Sequence, residues 1–439
     1  MKAVILAAGM GKRMRSPESG EPKSAKKVLG LPIIKRVILS ARRAGIKDFI
    51  IVVGYLAERI KEILGDGKDL KVNIMYVENN EWEKGNGVSL LKAKAHIDDD
   101  RFILIMGDHL FDPAMIEDIK RIQIKDDEAV LMVDFNPAPC IDLQDATKVK
   151  VRDNHIEEIS KQLVEYDGVD CGIFLCGKGV FAVLEEEIKR GREGITDAMS
   201  VLAMNNKLLS LDSKGRFWLD VDTEVALKNA EKNLLKGLIK PTDGIVSRYI
   251  NRPISLRISR ILVNKTIKPN TISVISFIVS VVSALLFSIG NYFSTLIGGL
   301  LVQFSSILDG CDGEVARLKF EDNEYGAWFD ATLDRYADAI VIFGIILGLL
   351  NYNSNMVTWI YGYLAITGTF ITSYTATKYD ALLKLKKNTT WRFGRDIRMF
   401  IIMIGAVLNE MYYLLIALAL LTNIVSLRRL YVFREQPAG

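Results

Sequence analysis

The sequence predicts two domains of different class: an α/β domain over residues 1–240 and an all-α membrane domain of about six transmembrane helices over 269–439, joined by a basic amphipathic stretch over 241–268. Three observations carry this. A chain of 439 residues is long enough for more than one domain. Charged residues make up 25% of it, as in a soluble protein, yet its mean hydropathy is +0.18. These figures are compatible only if polar and apolar segments are segregated. They are: residues 1–240 are mixed and polar, whereas 271–430 are dominated by apolar runs.

The first domain opens with a short apolar strand, Lys2 to Ala8. The run is too short for the apolar core of a signal peptide, and it leads at once into Gly9-Met10-Gly11-Lys12-Arg13. A glycine loop after a strand exposes backbone N–H groups to phosphate, and Lys12 and Arg13 add positive charge. A tight strand–helix turn would use the same glycines. Residues 49–53 read as a strand, 56–64 as a helix and 72–77 as a strand, which is α/β alternation. Gly85-Asn86-Gly87-Val88-Ser89 opens a helix over 88–95. Phe102 to Met106 is a buried strand ending in Gly107-Asp108, so a carboxylate stands where open α/β sheets bind ligands. Trp218-Leu219-Asp220-Val221-Asp222-Thr223 supplies a second carboxylate pair, on one face at strand spacing. Asp222 or Thr223 would also cap the helix over 224–235.

Leu6-Ala7-Ala8-Gly9-x-Gly11-x-Arg13, followed by Pro22-Lys23 and Gly30-Leu31-Pro32, resembles the signature of the sugar-phosphate nucleotidyltransferase family. The resemblance implies a Rossmann-like domain in which an anionic phosphate attacks the α-phosphorus of a nucleoside triphosphate. Leu6, Ala7, Ala8, Gly9, Gly11, Lys12 and Gly107 would then lie at the nucleotide, with Gly85 and Ser89 at base and ribose. Arg13 and Lys23 would be the catalytic cations that offset like-charge repulsion. Asp108 would bind Mg²⁺, with Asp222, or else Asp220, completing the site. Lys161, Asp170-x-Gly172 and Thr196-Asp197 would lie where the family binds the phosphorylated alcohol.

The second domain is organised around Asp309 to Asp334. A carboxylate near the centre of a bilayer helix costs about 2.5–3.5 kcal/mol, so four of them bordering membrane-length segments need compensating charge. Asp309, Asp312, Gly313, Ala316 and Arg317 share one helix face, and Asp330 and Asp334 share a face of a second helix. Gly313, Ala316 and Gly326 are small and admit close approach of a backbone or a ligand. Four adjacent carboxylates cannot all ionise without cations among them. Oxygen ligands with no nearby histidine favour Mg²⁺, Mn²⁺ or Ca²⁺ over Zn²⁺.

This stretch resembles the CDP-alcohol phosphatidyltransferase family, whose pattern D-x2-D-G-x2-A-R-x8-G-x3-D-x3-D is met at every fixed position. Pro269-Asn270-Thr271 also looks like the family's start of its first membrane helix. The resemblance implies displacement of CMP from a CDP-alcohol by an acceptor hydroxyl, with two divalent metals. Asp309, Asp312 and Asp330 would be ligands, and Asp334 ligand, general base or both. Gly313, Ala316, Arg317 and Gly326 would lie at the nucleotide.

Membrane segments are expected near 271–290, 292–317, 329–350, 356–377, 396–409 and 411–429. Loops near 290–292, 351–355 and 409–411 carry no Lys or Arg, whereas 318–328 carries Lys319, and 378–395 and the tail are basic. The positive-inside rule then puts both termini and the first domain in the cytoplasm, at the cell membrane. The joint, with Arg248, Arg252, Arg257 and Arg260 among apolar residues, reads as a helix on the membrane surface. Arg260 before the first membrane segment, Lys378 ending the fourth, and Arg392, Arg395 and Arg398 entering the fifth are candidates for an acceptor phosphate.

Together the two resemblances imply consecutive reactions. CTP and an alcohol phosphate, inositol 1-phosphate or similar, would give a CDP-alcohol and pyrophosphate. A second alcohol phosphate would then displace CMP. Mg²⁺ or Mn²⁺ is expected, two ions in the membrane domain and at least one in the soluble domain. The other partners expected are the lipid bilayer and a second copy of the chain through the membrane helices, but not nucleic acid. A lipid synthase with a regulatory first domain is opposed by the intact Gly9–Arg13, Lys23, Asp108 and Asp222 set. A carboxylate-lined transporter is opposed by the spaced motif and the absence of broken-helix signals. Four cysteines and three histidines are scattered, suggesting neither disulfides nor zinc.

Overall fold

The computed structural model describes residues 1–11, 21–241, 243–352, 355–383 and 393–434, with the side chains of 377–383 and 432–434 outside that description. Lys12, Arg13, Arg392 and the side chain of Lys378 therefore lie outside the described residues. The chain divides into two compact units, Met1–Leu234 and Leu235–Gly439.

The first unit is built on a nine-stranded mixed sheet. Its strands are β1 (Ala3–Ala7), β2 (Asp48–Val53), β3 (Asn73–Glu78), β4 (Arg101–Met106), β5 (Ala129–Asp134), β6 (Lys148–Arg152), β7 (His155–Ser160), β8 (Gly168–Gly177) and β9 (Leu208–Asp212). Their order across the sheet is β3-β2-β1-β4-β8-β5-β9-β7-β6. β1 runs parallel to both β2 and β4, and β2 parallel to β3. Near-continuous apolar runs such as Phe49–Val53 and Phe102–Ile105 are buried, as strands covered on both faces require. Successive crossovers carry the chain from β1 to β2 and β3 on one side, then to β4 on the other. The order in which strands are added thus reverses between β1 and β4, which opens a crevice at their carboxyl ends. Gly9 follows β1 and Gly107 follows β4, so the sequence places both glycine turns at that crevice. Gly107 is required by space: a Cβ there would meet the Leu6 carbonyl oxygen at 2.6 Å.

The helix Ile33–Arg43 shows how the crevice is furnished. Ile33, Ile34, Val37, Ile38 and Ala41 are buried, each of the larger ones worth roughly 1.5–3 kcal/mol. Arg36 is buried with them, and donates to the carbonyls of Val28 and Leu29 at 2.8 Å each. It thereby fixes the turn just after the Lys23–Ala25 segment.

The second unit is helical. After a π-helical turn, Ser247–Asn251, come α1 (Arg252–Leu262), α2 (Pro269–Ile289), α3 (Tyr292–Lys319), α4 (Glu324–Leu350), α5 (Met356–Leu383), α6 (Arg395–Val407) and α7 (Met411–Arg434). The side chains of Asn291 and Asn323 cap α3 and α4 by accepting from Ser294 N and Gly326 N. Among the described residues, three helices are long and apolar enough to cross a membrane: Pro269–Ile289, Tyr292–Lys319 and Met411–Tyr431. α4 carries charge at its start and α6 is only 13 residues long.

Polarity is inverted relative to a soluble bundle. Ser273, Ser276, Ser280 and Ser283 are buried, while Ile278, Leu285, Phe293 and Leu427 are exposed. Ser276 and Ser283 donate to the Ser305 and Gly298 carbonyls of the neighbouring helix. Gly344 and Gly348 let α4 close on α2, since a Cβ at either would lie 2.3 or 2.1 Å from the Ala284 or Phe287 carbonyl oxygen.

Because the first unit holds its own core, a fragment ending at Lys240 is expected to melt cooperatively by circular dichroism without detergent. A fragment that stays aggregated, or melts without a transition, would contradict this.

Candidate active sites

In the first unit, Lys23 is the centre of the site. Pro22 holds extended backbone ahead of the short Lys23–Ala25 turn. From there the Lys23 Nζ reaches Asp108 Oδ2 at 2.7 Å and Asp220 Oδ1 at 3.0 Å, and also contacts Asp222. Gly11 has φ +65°, and a Cβ there would strike the Lys23 side chain, so only glycine fits. Asp108 stands at the end of β4. A two-stranded ribbon, Trp218–Asp220 against His109–Phe111, pairs Asp220 with His109 and brings the second acid to it.

Burial works against the charged forms here, and the contacts outweigh it. Lys23, although buried, has its pKa raised by Asp108 and Asp220. Burial would raise Asp108, yet Lys23 and then His109 hold it well below the usual carboxylate range. Asp170 makes no ion pair among the described residues, and burial, outweighing its bond from Gly172 N and the charges of His109 and Lys161, pushes it up to about 6.

Leu6, Ala7, Gly9, Gly11, Lys23, Gly107, Asp108 and Asp222 line one cavity of about 330 Å³. Lys161, Asp170 and Thr196 line an adjoining one of about 620 Å³, which also reaches Asp108, Asp220 and Asp222. Ala8 is buried. Gly85 and Ser89 are not among the residues lining either cavity. Ser89 is buried and its hydroxyl accepts from Asn79 at 2.9 Å. A Cβ on Gly85 would collide with the Glu193 backbone, so this glycine serves packing.

Two residues at this site had no place in the sequence reading. His109 Nδ1 lies 2.8 Å from Asp108 Oδ1, and its ring stacks on Trp218. Its position next to Asp108 was the available signal. Asp145 groups with Asp220 and Asp222, their ligand oxygens within 4.8 Å of one another, and pairs with Lys161 at 3.1 Å. It sits in an irregular loop without periodicity, so only the fold reveals it.

The second unit repeats the theme. Asp309, Asp312, Gly313, Ala316 and Arg317 on α3 face Gly326 and Asp330 on α4 across a cavity of about 580 Å³. Asp309, Asp330 and Asp334 have ligand oxygens within 4.8 Å of one another. The Ser273 hydroxyl donates to Asp312. Arg395 of α6 places Nη1 at 3.1 Å from Asp309 and 2.8 Å from Asp334, and Nε at 3.0 Å from Asp338. Arg398 is 2% exposed; it donates to Asp338 at 2.8 Å and to the Thr369 carbonyl and Ser373 hydroxyl. Arg395 thus meets the carboxylates directly, whereas Arg398 stands behind them on Asp338. Asp338 and the fully buried Glu314, which contacts Arg252, also had no place in the sequence reading. In both units an internal cation sits on clustered carboxylates. These oxygen-rich groups could equally hold divalent metal ions.

Fold and sites define a nucleotidyltransferase unit followed by a helical phosphotransferase unit with apolar helices. Residues 2–237 match the Nucleotidyl transferase family, and residues 266–425 the CDP-alcohol phosphatidyltransferase family. The Bifunctional IPC transferase and DIPP synthase of Aquifex aeolicus is 35% identical over 438 residues, 98% of this chain and 97% of that one. The protein of that name from Archaeoglobus fulgidus is 38% identical over 441 residues, 97% of this chain and 83% of that one. A solved structure of the inositol-1-phosphate CTP transferase from T. maritima aligns with 53% of this chain and 93% of that chain, at 26% identity and a TM-score of 0.47. The chain belongs to the family of bifunctional IPC transferase and DIPP synthases.

Asp338 carries a prediction of its own. Asp338→Asn leaves Arg398 buried without its counter-ion, so the membrane unit should lose about 3 kcal/mol or more of stability. A melting temperature in detergent that is unchanged from the parent would contradict this.

Proposed function

We propose that the first unit transfers CMP from CTP to inositol 1-phosphate, releasing pyrophosphate and CDP-inositol. The second unit then transfers phospho-inositol from CDP-inositol to a second inositol 1-phosphate. That step releases CMP and gives di-myo-inositol phosphate phosphate. The observation that carries this reading is the presence, in one chain, of two separate carboxylate–cation sites, each on its own cavity. The near full-length relatives support the substrates.

In the first reaction, Lys23 and Arg13 offset repulsion between the attacking phosphate and the triphosphate. The Gly9–Gly11 turn and Gly107 let backbone approach the nucleotide closely. Lys161 and Asp170 receive the alcohol phosphate in the adjoining cavity. Asp108, Asp220 and Asp222 would hold at least one Mg²⁺. In the second reaction, Asp309, Asp312, Asp330 and Asp334 would hold two Mg²⁺ or Mn²⁺ ions. Bound metals would supply charge neutralisation at the reacting phosphates. Asp334 takes the proton of the acceptor hydroxyl, and Arg395, at the same carboxylates, meets the acceptor phosphate.

The second unit sits in the cell membrane. Its exposed apolar side chains support burial in lipid. The basic loops support a cytoplasmic first unit and cytoplasmic termini. A homodimer would form through the membrane helices.

Single substitutions separate the two reactions. Lys23→Ala should lower CDP-inositol formation by about 10²-fold or more, yet leave transfer from supplied CDP-inositol intact. Asp334→Asn should do the reverse and accumulate CDP-inositol, read by mass spectrometry of the products. Normal final product from Asp334→Asn, or efficient use of an unphosphorylated lipid alcohol as acceptor, would contradict the reading.

A further inference from the structure

Residues 238–265 fall between the two family matches, which end at 237 and begin at 266. Part of this joint nevertheless reaches the membrane-unit cavity, where Lys240 and Arg252 join Asp309, Asp312, Arg317 and Asp330 in the lining. A chain of contacts holds it there. The Lys240 backbone N–H donates to Asp243 Oδ2 at 3.0 Å. Asp243 accepts from Arg252 Nε and Nη2, at 2.8 and 3.1 Å. Arg252 Nη1 donates to Glu314 at 2.5 Å, and the Ser255 and Ser259 hydroxyls donate to the same carboxylate at 2.7 Å each. Glu314 lies on α3, between the motif residues Gly313 and Ala316. The backbone at Lys240 is therefore tied, through two ion pairs, to the helix that carries Asp309 and Asp312.

These contacts sort the cations of the cavity. Arg252 is neutralised by both Asp243 and Glu314. Lys240 and Arg317 have no such direct pairing, although Asp243 acts on Lys240, and Glu314, Asp322 and Asp243 act on Arg317, from further away. Among the described residues no hydrogen bond or ion pair reaches the Lys240 ammonium or the Arg317 guanidinium, whose Nε is buried. Partial burial, then the charges of Arg317 and Arg252, hold the Lys240 pKa below that of an ordinary lysine. Two like charges that disfavour each other on one cavity wall call for an anion between them.

Their place along α3 says which anion. The reacting phosphorus belongs at the carboxylates around Asp309. Arg317 lies eight residues further on, roughly 12 Å along the helix axis before its side chain reaches back. A CDP-alcohol carries two phosphates. One stays on the alcohol and is transferred, and the other leaves with cytidine. Cations set back from the reacting centre suit the second.

We infer that Lys240, together with Arg317, binds the phosphate that departs as CMP in the transfer step. The inference rests on the transfer reaction proposed above. In that reaction the acceptor oxygen bonds to the alcohol-bearing phosphorus while the bond from this phosphorus to the bridging oxygen breaks. The electron pair stays on the bridging oxygen, which leaves on CMP, and the acceptor proton passes to Asp334. Negative charge on the CMP phosphate grows as the bond breaks. A cation placed there is favoured more in the transition state than in the ground state. Lys240 thus makes the joint between the family matches a working part of the donor site.

The test uses the full-length protein with supplied CDP-inositol. Lys240→Ala should raise the KM for CDP-inositol and the inhibition constant for CMP, each about tenfold. The KM for inositol 1-phosphate and pyrophosphate release from CTP should stay within about twofold of the parent. Lys240→Arg should restore most of the CMP affinity. CMP inhibition unchanged in Lys240→Ala, both substrate KM values rising together, or Lys240→Arg behaving like Lys240→Ala would each overturn the assignment. A parent protein that transfers nothing from CDP-inositol to any acceptor would overturn the transfer reaction itself, and this inference with it.

Discussion

Clustered carboxylates must be balanced by positive charge, and both units are arranged around that constraint. Three aspartates converge on Lys23 in the first unit, and Asp309, Asp334 and Asp338 converge on Arg395 in the second. Each cation comes from a part of the chain distant from the acids it meets. Lys23 arrives on a short turn braced by Arg36, and Arg395 on a separate helix braced through Asp338 and Arg398. An isolated carboxylate in a poorly hydrated place would protonate; in the first unit Lys23 and His109 keep Asp108 ionised against its burial. The same demand can be met by divalent metal ions, which is why the two cation-bearing sites are also metal-competent.

Much of this was legible in the sequence where the signal is local. The motif from Asp309 to Asp334 is periodic, so helical spacing alone put its residues on two faces, and α3 and α4 carry them there. The glycines after β1 and β4 follow apolar runs, and the order of strand addition turns out to reverse between those strands. The six apolar segments correspond to α2 through α7, although among the described residues three of these helices are long and apolar enough by themselves to cross a membrane. Charged residues at the start of α4 and the brevity of α6 lower the other signals.

What the sequence did not reveal is contact across long separations. Asp145 belongs to the first site only because its loop folds over Asp220. Asp338 continues the i, i+4 series of Asp330 and Asp334, yet its partners Arg395 and Arg398 lie about sixty residues away in sequence. Glu314 occupies a variable position of the motif, and its role depends on α1 packing its buried Arg252, Ser255 and Ser259 against α3. At Gly85 and Ser89 the structure adds packing that the sequence did not show: Gly85 lies close against the Glu193 backbone, and the Ser89 hydroxyl accepts from Asn79.

The central claim is that one chain makes an activated alcohol and then consumes it. Phosphorus NMR of the full-length protein, supplied with CTP, inositol 1-phosphate and Mg²⁺ in detergent or lipid, tests it most directly. The account predicts a transient CDP-inositol signal, a final phosphodiester signal, and pyrophosphate and CMP released in equal amounts. Pyrophosphate accompanied by lasting CDP-inositol and no CMP would contradict it.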